Sequence, residues 1–289
     1  MSLSFLFECK TKIFKKIDSL LGANDQITKS MRYSALAESK CIRAGLVFAS
    51  GQLTDHNSEL GLVDMATSIE LMHTYSLIHD DLPAMDNDDM RRGTASNHVA
   101  FNEATAILAG DALQALAFEV IASSQHIQSE QKIEIIQAMS SACGHRGMVL
   151  GQQYDLDAEQ KKFHDIEEIH TLKTGRLIQV ALTMPHLADR SNLTPLSILN
   201  ELGQKLGLAF QIMDDVLEAS SNSETLGKSN LSDIENSKMT YVSEFGLAES
   251  EKRADDLSVW CAEKINTAFG QSKAKDLKDL AHFMVKRSN

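Results

Sequence analysis

Proline is scarce in this chain: Pro83, Pro185 and Pro195 are its only three in 289 residues. Proline breaks or kinks a helix, so its scarcity lets long helices run with few interruptions. Alternating β-branched runs are nearly absent as well, and the linkers between periodic segments are short, which leaves no room for a conventional parallel sheet. Cysteine is confined to Cys9, Cys41, Cys143 and Cys261, widely spaced and without a CxxC pair. That pattern excludes a disulfide framework and a cysteine-based zinc site, and it fits a reducing cytoplasm. Positive charge is in deficit, with 28 Lys and Arg against 40 Asp and Glu and a formal net charge of -12. Such a balance opposes a general nucleic-acid or anionic-membrane surface. The apolar stretches 135–144 and 177–188 are too short to cross a bilayer. Residues 1–22 lack the basic region, long apolar run and cleavage site of a signal peptide, and read as a packed first helix.

What the sequence has in quantity is helix-forming Ala, Leu, Met, Glu, Gln and Lys. Helical periodicity marks 5–21, 31–50, 60–79, 100–123, 131–155, 165–184, 196–219, 238–245, 247–269 and 274–286. An all-α fold follows, expected as one domain over 1–289. The segment from Asp80 to Gly93 differs: it holds Pro83, Asn87, five aspartates and two arginines, and reads as a helix end running into a functional loop.

Two acidic clusters stand out, HDDLPAMDNDD at 79–89 and QIMDDVLE at 211–218. On a helix Asp214 and Glu218 lie one turn apart and share a face. Carboxylates gathered this densely repel one another unless cations or solvent compensate. Oxygen-rich sites of this kind suit magnesium, which combines one or two carboxylates with waters and substrate phosphates. Neither segment has the ligand spacing and central glycine of a calcium-binding EF-hand. Basic groups able to receive phosphate are Lys40, Arg43, Arg92, Lys173, Lys228 and Lys238. Lys40 and Arg43 can share a helix face, and arginine grips phosphate through two parallel donors. His73 is a further candidate donor, and Gly175 a site where a helix could distort.

The segments ELMHTYSLIHDDLPAMDNDDMRRG, AILAGDALQALAFE, GQQYDLDAE, IHTLKTGRLI, GLAFQIMDDVLE, TLGKS and SKMTY resemble, in order and over nearly the whole chain, the trans-isoprenyl diphosphate synthases, in particular the short bacterial farnesyl diphosphate synthases. The resemblance implies a single-domain helical bundle around a deep central cavity and a cytoplasmic, magnesium-dependent prenyltransferase, usually a homodimer, with a heteromer with another synthase as the alternative. Its substrates would be isopentenyl diphosphate and an allylic diphosphate, dimethylallyl and then geranyl, and its product farnesyl diphosphate. Carried over by motif, Asp80, Asp81 and Asp86, with Asp214 and Glu218 from an opposite wall, would hold magnesium, about three ions per site. Arg91, Lys173, Lys228 and Lys238 would contact the allylic diphosphate. Lys40, Arg43, His73 and Arg92 would take isopentenyl diphosphate. Gln211, Thr174 and the Lys173 carbonyl would face the allylic cation, and Tyr75 would close the cavity floor.

Some positions depart from the family pattern. Where the family has GGKRxRP, this chain reads Glu38-Ser39-Lys40-Cys41-Ile42-Arg43-Ala44. Glu38 would repel a diphosphate unless its side chain points away. Glu218 replaces an aspartate, and Leu231-Ser232-Asp233 replaces GxD. These changes keep open a non-catalytic or regulatory subunit, and an enzyme that ionises a prenyl diphosphate without elongating it.

Overall fold

The computed structural model describes residues 3–160, 162, 165–189, 196–225 and 239–286. Among them the protein is helical apart from one hairpin. The helices are α1 (Leu3–Leu20), α2 (Gln26–Ala35), α3 (Ile42–Gly51), α4 (Glu59–Asp80), α5 (Asn97–Ala100), α6 (Glu103–Ser123), α7 (Ser129–Cys143), α8 (Met148–Glu159), α9 (Ile166–His170), α10 (Arg176–Ala188), α11 (Leu196–Thr225), α12 (Tyr241–Phe245), α13 (Leu247–Phe269) and α14 (Lys275–Val285). The hairpin pairs β1 (Met90–Arg91) with β2 (Thr94–Ala95), antiparallel, Met90 opposite Ala95. Lys228, Lys238 and the 231–233 departure lie outside the described residues.

Two compact units are built from these elements. The first comprises 1–138 with 183–193, the second 139–182 with 194–289. In the first, α4 is buried nearly all round its middle turns and packs along α6, with Met65, Ile69, Leu71 and Met72 fully buried. Each such side chain contributes about 2 kcal/mol on removal from water. Local chemistry sets where these helices begin: Ser58 Oγ accepts the Gly61 N–H at 3.0 Å, and Asn102 Oδ1 accepts the Thr105 N–H at 2.8 Å. Helix α6 is also long and apolar enough to cross a membrane, and somewhat under half of it is buried. In the second unit α11 and α13 pack together around Leu199, Ile212, Cys261 and Ile265.

Two expected helices prove to be broken. The 31–50 segment divides into α2 and α3: α2 ends at Ala35, residues 36–40 turn and bend, and α3 starts only after Cys41, whose left-handed backbone, φ 47°, no helix continues through. The 131–155 segment divides at Gly144-His145-Arg146-Gly147, ahead of α8. The distortion expected near Gly175 is present as a π-helical turn, Thr171–Gly175, joining α9 to α10.

Candidate functional site

In the first unit the acidic segment leaves α4 and folds back on itself. The Asp86 N–H donates to the Asp80 carbonyl at 2.9 Å, and Asn87, at φ 53°, donates to the Leu82 carbonyl at 3.1 Å. This closure returns residue 86 to the end of the helix, beside Asp80. Both side chains stay partly exposed, whereas Asp81 is 2% exposed. Arg91, from β1, donates to Asp81 through Nε at 2.9 Å and through Nη2, and to Asp88 at 3.0 Å. Burial raises the Asp81 carboxyl above its ordinary value, and the Arg91 guanidinium opposes that rise. The hairpin turn carries Arg92 at φ 54° and Gly93 at φ 79°. Cys41, Asn87 and Arg92 are the only non-glycine residues with positive φ among the described residues, and all three sit in segments that the family resemblance marks as substrate-binding. Beside the hairpin lies a small groove of about 30 Å³, walled by Tyr33, Thr74, Asp81, Arg91 and Arg92.

The basic set divides. Arg43 and His73 meet, Nη1 to Nε2, at 3.1 Å. Lys40 lies on the exposed side of the α2–α3 connection, and Arg92 is exposed on the hairpin. Glu38 does point away: its carboxylate accepts from Lys10 Nζ at 2.6 Å with the side chain 86% exposed. Sequence reasoning missed Glu70, a buried carboxylate three residues before His73 that accepts the Ala44 N–H at 2.9 Å. The signal was Ala44 itself, since the family's proline at that position has no N–H to give. Tyr75 is buried, its ring edge-on to His79 with centroids 5.7 Å apart.

In the second unit the π-helical turn is gripped on both sides. A Cβ at Gly151 in α8 would lie 2.3 Å from the Lys173 nitrogen, and one at Gly207 in α11 would lie 2.6 Å from the Gly175 Cα. Only glycine permits such approach, and π-turns of this kind collect at functional sites. Lys173 Nζ donates to the buried Asp155 at 2.6 Å, a partner the sequence reading left without a role. Thr174 Oγ1 donates to Gln211 Oε1 at 3.0 Å, and Gln211 Nε2 to Asp215 Oδ1 at 3.4 Å. The Tyr241 N–H donates to Asp215 Oδ2 at 2.7 Å. Burial pushes the Asp215 carboxyl up to about 6 against those donors, helped by the charges of Asp214 and Glu218. His170, 3.7 Å from Asp215 and stacked on Tyr241, is held down to about 4 by its burial. Asp214 remains partly exposed and Glu218 exposed.

No three His, Cys, Asp or Glu side chains converge on a metal position among the described residues. The donor set still fits magnesium, which needs only one or two carboxylates per ion beside water and phosphate oxygens.

An all-α chain with two aspartate-led corners, each flanked by an arginine or lysine, defines a helical protein built to handle phosphorylated ligands. The sequence pattern of the polyprenyl synthetase family matches residues 24–277, and the chain belongs to that family, among the trans-isoprenyl diphosphate synthases. It is similar to the farnesyl diphosphate synthase of Micrococcus luteus, 40% identical over 92% of this chain and 91% of that one. Similarity also extends to the geranylgeranyl diphosphate synthase of Cyanophora paradoxa, 39% identical over 99% and 97%. Its fold is that of an FPP/GFPP synthase from Zymomonas mobilis, with a TM-score of 0.86, 32% identity and 98% of each chain covered. The protein is therefore a prenyltransferase of the trans-isoprenyl diphosphate synthase type.

Proposed function

We propose that the protein joins isopentenyl diphosphate to dimethylallyl and then geranyl diphosphate, releasing farnesyl diphosphate and pyrophosphate. The observation that carries this reading is the closed turn 80–86, which brings the partly exposed Asp80 and Asp86 together at the end of α4, where Arg91 bonds Asp81. Asp80, Asp86, Asp214 and Glu218 are assigned to magnesium. Asp81 holds Arg91 through Oδ1, and its assignment is to positioning that arginine beside the magnesium ligands. Bound magnesium supplies positive charge that lowers the cost of negative charge on a departing diphosphate.

Arg91 and Lys173 add to that charge, and Lys228 and Lys238 are assigned to the same diphosphate. The Thr174 hydroxyl, the Gln211 amide and the Lys173 carbonyl present dipoles to the allylic cation, so the reaction needs no side-chain nucleophile. Isopentenyl diphosphate is assigned to Lys40, Arg43, His73 and Arg92, and the proton lost at the end goes to pyrophosphate. Because Glu38 is drawn off by Lys10, the altered 38–44 segment does not place its acid against the second substrate, which weakens the reading of a non-catalytic subunit. Tyr75 stops growth at the farnesyl length. The chain works as one cytoplasmic domain and as a homodimer, a reading supported by Ile107 and Leu108, 43% and 54% exposed on the apolar α6.

Pure protein given labelled isopentenyl diphosphate, geranyl diphosphate and magnesium is expected to yield farnesyl diphosphate, and Tyr75→Ala a longer product. Absence of turnover, together with tight association to another synthase, would overturn the proposal in favour of the subunit.

A further inference from the structure

Tyr241 is fastened at its two ends to different helices. Its backbone N–H donates to Asp215 Oδ2 in α11 at 2.7 Å, and its phenol donates to Glu167 Oε1 in α9 at 3.0 Å. The ring between them is buried, lies 4.5 Å from the Phe245 ring, centroid to centroid, and stacks on His170. Glu167 is steadied in turn from α13, where Arg253 Nη2 donates to the same oxygen at 3.2 Å. His170 comes within 3.7 Å of Asp215, beyond hydrogen-bond reach, so it adds packing and no bond. Helix α9 runs directly into the π-helical turn 171–175, and from that turn Thr174 Oγ1 donates to Gln211, whose amide donates on to Asp215. These bonds close a ring, from Asp215 through Gln211 and Thr174, back along the chain to Glu167, and home through Tyr241.

We infer that Tyr241 is a positioning residue for the cation-facing dipoles: by joining α9 to Asp215 it fixes the direction in which the turn presents the Thr174 hydroxyl and the Lys173 carbonyl. The inference rests on the assignment of this corner to the allylic diphosphate. A π-turn is a rare helical form, so its shape depends on what grips it. Close backbone approach at Gly151 and Gly207 grips the turn itself, and Tyr241 holds the helix that feeds it. When the allylic carbon–oxygen bond breaks, its electron pair leaves with pyrophosphate, and the cation is consumed either by the double bond of isopentenyl diphosphate or by water. The first route forms the new carbon–carbon bond. The second forms an allylic alcohol, the surplus proton passing to pyrophosphate. Dipoles held in register keep the cation on the first route.

Two measurements on the full chain test this. With geranyl diphosphate, isopentenyl diphosphate and magnesium, Tyr241→Phe should lower kcat for farnesyl diphosphate about tenfold, the scale of one hydrogen bond to a charged group. Both KM values should stay within about twofold, as for a group that acts only in the transition state. The ratio of geraniol to farnesyl diphosphate should rise about tenfold, because misaimed dipoles slow the oriented route and not capture by water. A merely destabilised protein would lose both products together, so an unchanged ratio would overturn the inference. Glu167→Gln, whose amide oxygen still accepts from the phenol, should keep kcat and the ratio within about threefold of the unmodified protein. Glu167→Leu should match Tyr241→Phe, and the double variant should cost less than about twofold more, because the two ends of one bond are not additive. A full second tenfold loss would mean that the two side chains act separately, and would sink the idea. Without substrate, hydrogen exchange of the amides at 171–175 should quicken about tenfold in Tyr241→Phe, while exchange around Cys261 in α13 stays the same. Equal exchange at 171–175 in the two proteins would overturn the inference as well. If the unmodified protein shows no turnover, the assigned function fails, and exchange still decides whether Tyr241 holds the turn.

Discussion

Asp80–Asp81 at the end of α4 and Asp214–Asp215 within α11 are the same dipeptide, and each buries its second carboxylate while leaving the first partly open. The locks differ. Asp81 is held by a guanidinium, Arg91, reaching across from the hairpin. Asp215 is held by dipoles, the Tyr241 N–H and the Gln211 amide, with no arginine or lysine bonded to it among the described residues. Burial raises both carboxyls, and at Asp215, where dipoles alone oppose it, the value reaches about 6. A doubled aspartate thus divides its labour. One acid is left outward for a cation, and its neighbour ties a distant segment to the helix, an arginine in the first corner and the start of α12 in the second.

The largest effect that would break this comparison concerns the outward acids. Asp80→Asn and Asp214→Asn should each lower turnover by about 100- to 1,000-fold, on the scale of losing one electrostatic stabiliser of a transition state, while melting temperatures stay unchanged. A large drop in stability with turnover preserved would reverse the assigned roles.

Next comes pH. The unfolded His170 takes up a proton near 6.5 and the folded one only near 4. Between those values the unfolded state holds more protons, so this residue makes stability rise with pH, by about 3 kcal/mol across the whole window. Asp215 acts in the opposite sense between about 4 and 6, since its folded carboxyl keeps the proton longer. The His170 contribution is therefore read from denaturant unfolding of wild type minus His170→Asn, which should lose the rising part of the profile. An unchanged profile would show that the imidazole is not shielded from protonation.

The sharpest contrast lies between the inner acids. Asp81→Asn should cost about 2 kcal/mol, because an amide leaves the half-buried Arg91 with only the exposed Asp88 as counter-charge. Asp215→Asn should cost under about 0.5 kcal/mol, since an amide oxygen still accepts the Tyr241 N–H and relieves a charge that is poorly solvated. Equal losses in urea unfolding would mean that the two corners are locked alike after all.

Much of the candidate site was legible in the sequence. The dense carboxylates at 80–89, the basic pair at 91 and 92, the acids at 214 and 218 and the glycine at the distorted turn all announce themselves by residue type and spacing. Asp155, Glu70, His170 and Tyr241 did not. Each is an ordinary residue in an ordinary helical pattern, and its role depends on a partner between 18 and 26 residues away, or on burial, that no local periodicity encodes: Asp155 on Lys173, Glu70 on Ala44, Tyr241 on Asp215. The break between α2 and α3 was hidden for a related reason. Apolar spacing continues across 36–41, whereas the chain itself turns and bends there before the left-handed backbone at Cys41.

By itself the sequence determined that this chain is helical, anionic and a member of the polyprenyl synthetase family, because propensity, composition and motif order are properties of the chain and survive any rearrangement of it. Tertiary structure alone decided which acid of each pair faces outward, where Glu38 sends its charge, and which helix the Tyr241 hydroxyl reaches. Those outcomes turn on desolvation and on hydrogen-bond geometry, and both exist only once distant segments are packed against one another.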